Sequence, residues 1–244
     1  MQKRQSPKRK KSKPKESVRK KSKTTRQKKE QPSPAVILEK FTDKIEEEYN
    51  VIFKPNDGPQ TDFLAASERE VLYGGSAGGG KSYAMLADPL RYMGNPAFSG
   101  LLLRHTTEEL RELITKSQEM YPKIWPGIKW SERKMQWTAP SGAKLWLSYL
   151  DKDQDVTRYQ GLAFSWIGFD ELTQWATPFA WSYMRSRLRS ADPTLPLSMR
   201  ATTNPGGRGH GWVKKMFIDP APAGKSYIAT DIETGEQLKY PAGH

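Results

Sequence analysis

The 244-residue sequence contains no cysteine and only three histidines, His105, His210 and His244. The first absence excludes disulfide frameworks, thiolate-bound zinc, iron–sulfur clusters and thiol nucleophiles. The second argues against a multi-histidine metal centre. No apolar run approaches the roughly 18–20 residues of a membrane span, and the amino terminus lacks the apolar stretch of a signal peptide. These absences predict an intracellular protein with no membrane partner, not secreted. Residues 1–34 are poorer still: beyond Met1, Val18 is their only large apolar side chain, and they contain no aromatic. They hold 15 Lys and Arg against Glu16 and Glu30, so they carry the whole formal net charge of +13, and the other 210 residues have 25 charges of each sign. Such a segment buries too little surface to offset its chain entropy and is expected to be a disordered basic tail. It could grip phosphate backbones by counterion release, or act only as a solubilising extension.

What remains is long enough for one domain with a sizeable core. Residues 35–62 read as a helix (Ile37, Leu38, Phe41 and Ile45 on one stripe) and a linker, with Val51–Asp62 punctuated as loop. Strand-like and helix-like segments then alternate. EREVLY precedes a glycine-rich loop and a helix, YAMLADPLRYM. GLLLRH precedes a helix capped by Thr106 or Thr107, with Glu109 in its first turn. KMQWTA and AKLWLSYL flank Pro140-Ser141-Gly142 as a hairpin, and Trp125, Trp130, Trp137 and Trp146 around it suggest a small satellite core. AFSWIGF, a helix over 179–189 and LPLSMRATT complete the series. This pattern predicts an α/β fold, a mostly parallel sheet flanked by helices with an inserted β-hairpin. Asp231-Ile232-Glu233-Thr234-Gly235 looks like the start of an exonuclease motif, but the carboxylates that a two-metal site needs do not follow. The segment reads instead as the turn of a second hairpin within 221–244.

The loop Gly75-Ser76-Ala77-Gly78-Gly79-Gly80-Lys81-Ser82 fits G-x-x-x-x-G-K-[ST] at every fixed position. Glycines let the backbone curl until successive N–H groups face phosphate oxygens. Lys81 can then reach the β- and γ-phosphates, and the Ser82 hydroxyl can ligate Mg²⁺ at the helix amino end. A second acidic element is needed to hold the metal, and Phe164–Phe169 ends in Asp170-Glu171. Asp170 is assigned to Mg²⁺ and Glu171 to the base that activates water. Thr202-Thr203-Asn204 lie at the carboxyl end of another predicted strand, where an open α/β sheet places its ligands. They are candidates for sensing the γ-phosphate.

Together with their surroundings, these elements resemble the ATPase domain of the large terminase subunit of tailed bacteriophages. The resemblance spans about residues 53–217. It rests on Pro59-Gln60-Thr61-Asp62-Phe63-Leu64, the phosphate loop, Leu103-Arg104-His105, Arg158-Tyr159-Gln160-Gly161, Phe169-Asp170-Glu171 and Thr202-Thr203-Asn204-Pro205. It implies a P-loop NTPase fold of the ASCE type over 63–220, with 35–62 leading into an adenine-side motif. It implies ATP and Mg²⁺ as ligands, Gln60 reading the adenine edge and Thr202-Thr203-Asn204 as a coupling motif. An arginine supplied across a subunit boundary would be Arg158 or, alternatively, Arg104. The implied activity is ATP hydrolysis that pumps double-stranded DNA into a capsid from a homo-oligomeric ring, with a portal and a small terminase subunit as partners in the host cytoplasm. The phosphate loop departs from many such sequences in having Gly78-Gly79-Gly80 where an arginine is common. The family's nuclease domain is not expected in this chain, which ends at His244, so no nuclease activity is expected from it. Rival readings are a helicase-like P-loop ATPase, for which a second motor lobe has no room, and a non-catalytic basic DNA-binding protein, which the intact Lys81 and Glu171 disfavour.

Overall fold

Long apolar runs such as Gly100–Leu103 and Trp166–Phe169 suit strands covered on both faces, and the computed structural model places them there. It describes residues 51–76, 78–220, 225, 227–230 and 237–240. The expected basic tail, the helix over 35–50, Ala77 and the turn at Glu233-Thr234-Gly235 lie outside these. Seven strands make one sheet: β1 (Glu70–Gly74), β2 (Ser99–Arg104), β3 (Lys129–Ser131), β4 (Gln136–Thr138), β5 (Lys144–Tyr149), β6 (Trp166–Phe169) and β7 (Ser198–Thr203). Their spatial order is β1-β7-β6-β2-β5-β4-β3. The first five run parallel, and β4 and β3 extend the sheet as an antiparallel ribbon. This is a P-loop-type α/β fold in which one strand, β7, separates the phosphate-loop strand from the acidic strand. Further on, β8 (Tyr227–Thr230) and β9 (Gln237–Tyr240) pair antiparallel in a sheet of their own.

Alternate residues of the central strands feed two cores. Leu102 and Trp166 pack with Ala84, Met85 and Leu86 of α2 (Lys81–Ala87) and with Leu110 and Leu113 of α3 (Thr107–Ile124). Leu101, Leu103, Ile167 and Phe169 face Trp181 and Met184 of α4 (Phe179–Arg185) and Val213 of α5 (His210–Phe217). The cap of α3 is Thr106, in a reciprocal box with Glu109.

Four local expectations change. Pro59–Asp62, read as loop, is the first turn of α1 (Pro59–Ala65), where Pro59 lacks only an N–H that the helix would leave unpaired. The helix after the phosphate loop tightens into a 3₁₀ segment at Asp88–Tyr92, beside Pro89. α4 stops at Arg185, because Arg187 and Arg189 leave it to exchange backbone bonds with Phe164. The tryptophans form no satellite core: Trp125, Trp130 and Trp137 join the α2–α3 core, whereas Trp146 lies on the other face against Phe164.

Candidate active site

β1 delivers the phosphate loop at its carboxyl end. Gly75, Gly78 and Gly80 all have positive φ, of 141°, 85° and 70°. Gly80 is required twice over, since a Cβ there would lie 2.6 Å from Gln60 Nε2. The loop's carbonyls are tied back into the protein. Lys81 Nζ donates to Gly75 O (3.1 Å) and Ser76 O (2.5 Å), Tyr73 Oη donates to Gly79 O (2.7 Å), and Gln60 Nε2 donates to Gly80 O (2.9 Å). The amides of Gly78, Gly79 and Gly80 have no acceptor among the described residues. With its carbonyls held and its N–H groups unused, the loop is built to receive an anion. Gln60 is buried, and its amide oxygen accepts from Asn56 N at 2.6 Å. It therefore staples the end of the loop to the segment before α1.

Two strands away, β6 ends in Asp170, which is fully buried. Its carboxylate accepts from Thr202 Oγ1, lies 3.4 Å from Ser82 Oγ and pairs with Arg104 Nε at 3.1 Å. Ser82 and Asp170 thus meet across 88 residues of sequence. Glu171 sits in the left-handed region, φ 62° and ψ 54°, a conformation that costs a non-glycine residue about 1 kcal/mol or more. Its N–H donates to Thr202 Oγ1 (3.1 Å), and its carboxylate is gripped by Asn204, through Nδ2 (2.7 Å) and the backbone N–H (3.2 Å). Burial first, and then the Asp170 carboxylate, raise the Glu171 pKa above the ordinary glutamate range; Arg104, the Asn204 amide and Lys81 pull the other way.

β7 therefore touches both acids. Thr202 bridges Asp170 and Glu171, Asn204 holds Glu171, and Thr203 Oγ1 donates to Thr173 Oγ1 at 2.8 Å. The chain leaving β7 is closed onto the segment after Glu171. Gly209 N–H donates to Thr173 O (2.7 Å), and Trp212 Nε1 donates to Trp175 O (2.9 Å). A Cβ on Gly207 would fall 2.7 Å from Thr173 O, and one on Gly209 only 2.0 Å from Trp175 O.

The two candidate arginines are placed very differently. Arg104 is buried at the end of β2, next to β6, and faces Asp170 of its own chain. Arg158 is exposed on a 3₁₀ segment, Asp153–Tyr159, beyond β5. It donates to Asp155 O and Tyr149 O and lies over the rings of Tyr149 and Tyr159. None of these partners belongs to the phosphate loop or the acidic pair. Sequence reasoning did not find Arg104's ion pair, Thr173 or Arg208. The signal for the first was an arginine ending a buried strand. Arg208, with His105, Glu171 and Asn204, lines a cavity of about 460 Å³ at the carboxyl ends of the strands.

A family model described as "Terminase large subunit, T4likevirus-type, N-terminal" matches residues 72–232. Among solved structures, the large terminase ATPase domain of Thermus phage P74-26 is similar at 14% identity and TM-score 0.51, over 83% of this chain and 81% of that one. A full-length large terminase from a thermophilic bacteriophage is similar at 17% identity and TM-score 0.54, over 68% of this chain and 43% of that one. At these identities the likeness is one of fold. This chain spans less than half the length of the latter protein. No curated protein matches the sequence.

Proposed function

Because the chain belongs to the terminase large subunit family, T4-like-virus type, we propose that it is an ATP-hydrolysing motor subunit that drives double-stranded viral DNA into a capsid. The observation that carries the reading is the juxtaposition of a phosphate loop, a Ser82–Asp170 pair and a Glu171 held by the strand between them. ATP would enter at the carboxyl ends of β1 and β6. Lys81 would exchange the carbonyls of Gly75 and Ser76 for phosphate oxygens, and the free amides of Gly78–Gly80 would complete the cradle. Gln60 lies at the end of this cradle, with an amide that can also address the adenine edge.

Ser82 and Asp170 are suited to Mg²⁺, Ser82 directly and Asp170 through water. Among the described residues no three His, Cys, Asp or Glu side chains converge on a metal position. That suits an ion which keeps waters and phosphate oxygens as ligands. Bound there, Mg²⁺ would neutralise charge on the phosphates. Glu171 would take a proton from the attacking water, and burial among protein dipoles lets a carboxylate serve as that base near neutral pH. In the structure both its oxygens are occupied by Asn204. Release of that grip when the γ-phosphate is in place would link site occupancy to β7 and, through Thr173 and Gly209, to α5.

With Arg104 committed to Asp170, Arg158 is the arginine free to approach a neighbour's phosphates, which makes the working unit a homo-oligomeric ring. The portal and the small terminase subunit would be its partners in the host cytoplasm, with the basic tail as a sequence-independent grip on DNA. Lys81→Ala should abolish ATP binding, and Glu171→Gln should keep binding but stall turnover by about 10²-fold or more. Equal hydrolysis by wild type and Glu171→Gln would remove Glu171 from its role. Arg158→Ala and Glu171→Gln subunits, each inactive alone, should recover activity when mixed; normal hydrolysis by assembled Arg158→Ala would show the trans arginine to be another residue.

A further inference from the structure

The cavity of about 460 Å³ is not lined by the phosphate loop. It lies on the other side of Glu171, bounded by His105 from the end of β2, Asn204 from the end of β7 and the loop Gly206-Gly207-Arg208. Two of its polar groups have nothing to bind. Arg208 is exposed and has no hydrogen-bond or ion-pair partner among the described residues, whereas Arg104 and Arg158 are both committed. The Asn204 side-chain oxygen is buried and receives no donor, although its Nδ2 and backbone N–H both serve Glu171. The backbone that carries Arg208 is fixed, because Gly207 and Gly209 are packed against Thr173 and Trp175 too closely for any side chain. A cation held in place and an orphaned acceptor therefore face one cavity beside the base.

An anion alone would satisfy Arg208 but not an acceptor oxygen. The ligand that satisfies both must carry negative oxygens and a hydroxyl donor on one centre. Inorganic phosphate near neutral pH is such a species, with anionic oxygens for the guanidinium and a P–OH for Asn204 Oδ1. A DNA phosphodiester carries the charge but has no P–OH to give. Resting on the ATPase reading above, we propose that this cavity is a product site: the cleaved phosphate moves past Glu171 and is held by Arg208 and Asn204 before it leaves. A smaller adjoining cavity of about 210 Å³ shares His105, Gln174 and Arg208 with the first and is also lined by Asp151 and Asp153. Those carboxylates make the outward path less favourable to an anion than the inner cavity, which has one carboxylate beside Arg208.

The test is a ³¹P NMR titration of the full chain saturated with MgADP, using inorganic phosphate and, separately, dimethyl phosphate as probes. Wild type should bind phosphate saturably and dimethyl phosphate not at all. Arg208→Ala should weaken phosphate about tenfold, the loss expected for one charge-assisted hydrogen bond, and Arg208→Lys should restore most of it. Because Arg208 is exposed, both variants should melt with wild type. Lys81→Ala, titrated without nucleotide, should bind phosphate as wild type does. Unchanged phosphate affinity in Arg208→Ala, loss of phosphate binding in Lys81→Ala, or equal binding of both probes would each overturn the proposal. The last outcome would assign the arginine to backbone phosphates of DNA. The titration needs no turnover, so phosphate binding in a protein without ATPase activity would keep this site while removing the activity it was built on.

Discussion

Removing Arg104 tests how the acidic end of β6 is held. Arg104 Nε lies 3.1 Å from Asp170 Oδ2, with both side chains almost wholly buried. At an effective dielectric of about 20, charges at that separation attract by about 5 kcal/mol before desolvation is counted. The net worth of the pair is smaller, because both groups gave up water to form it. Breaking it from one side is another matter: Asp170 would keep its desolvation cost and lose its counter-charge, leaving only the Thr202 and Ser82 hydroxyls. Arg104→Met, which preserves most of the volume, should therefore destabilise the fold by about 3–5 kcal/mol, a large part of a typical total of about 5–15 kcal/mol. Urea unfolding followed by tryptophan fluorescence would measure it. The second variant carries the argument: Arg104→Met with Asp170→Asn removes the stranded charge and keeps an acceptor for Thr202, so it should recover about half the loss or more. A single variant within about 1 kcal/mol of wild type, or a double variant less stable than the single, would refute the idea that Arg104 neutralises Asp170.

The glycines of the β7 exit give a paired measurement. Gly209→Ala should cost about 1–3 kcal/mol by overpacking against Trp175 O, whereas Gly211→Ala, with open space around it, should be neutral or stabilising by up to about 1 kcal/mol in the helix; similar melting of the two would contradict the tight closure. Turnover of ATP should fall with decreasing pH through a midpoint above the ordinary glutamate value of 4.5, because burial and Asp170 raise the Glu171 pKa and the base works only when deprotonated. Arg104→Met should move that midpoint higher, since Arg104 lowers it, and a downward shift in the pH–rate profile would count against Glu171 as the base. Thr106→Ala should cost about 1 kcal/mol by opening the α3 capping box, measured by the same unfolding assay.

The parts of this site that depend on spacing along the chain were legible in the sequence. Glycine and lysine at fixed offsets define the phosphate loop, and an apolar run ending in Asp170-Glu171 defines the acidic element. The capping box at Thr106–Glu109 and the hairpin at Pro140–Gly142 are local in the same way. What could not be read were the relations between distant segments. Arg104 and Asp170 meet because β2 and β6 are neighbours with Leu103 opposite Phe169, and no feature near Arg104 announces the register. Asn204 could be placed at the end of a strand, but its grip on Glu171 requires the left-handed backbone at 171, which a glutamate gives no sign of adopting. The four tryptophans near the hairpin are close in sequence, yet strand alternation sends Trp146 to the face opposite Trp137.

The strand that carries the phosphate loop is the outermost of the five parallel strands, hydrogen-bonded among the described residues only to β7. Its first three residues are half-buried, where every residue of β7 is buried. A strand supported on one side opens at lower free energy than its interior neighbours, so its amides should be among the first of the sheet to exchange with solvent. A nucleotide bound to Lys81 and the Gly78–Gly80 amides would act as a clamp at the end of that strand. Each turnover would then tighten and slacken the margin of the sheet as well as the site, and the amides of β1 would report the nucleotide state of every subunit in a working motor.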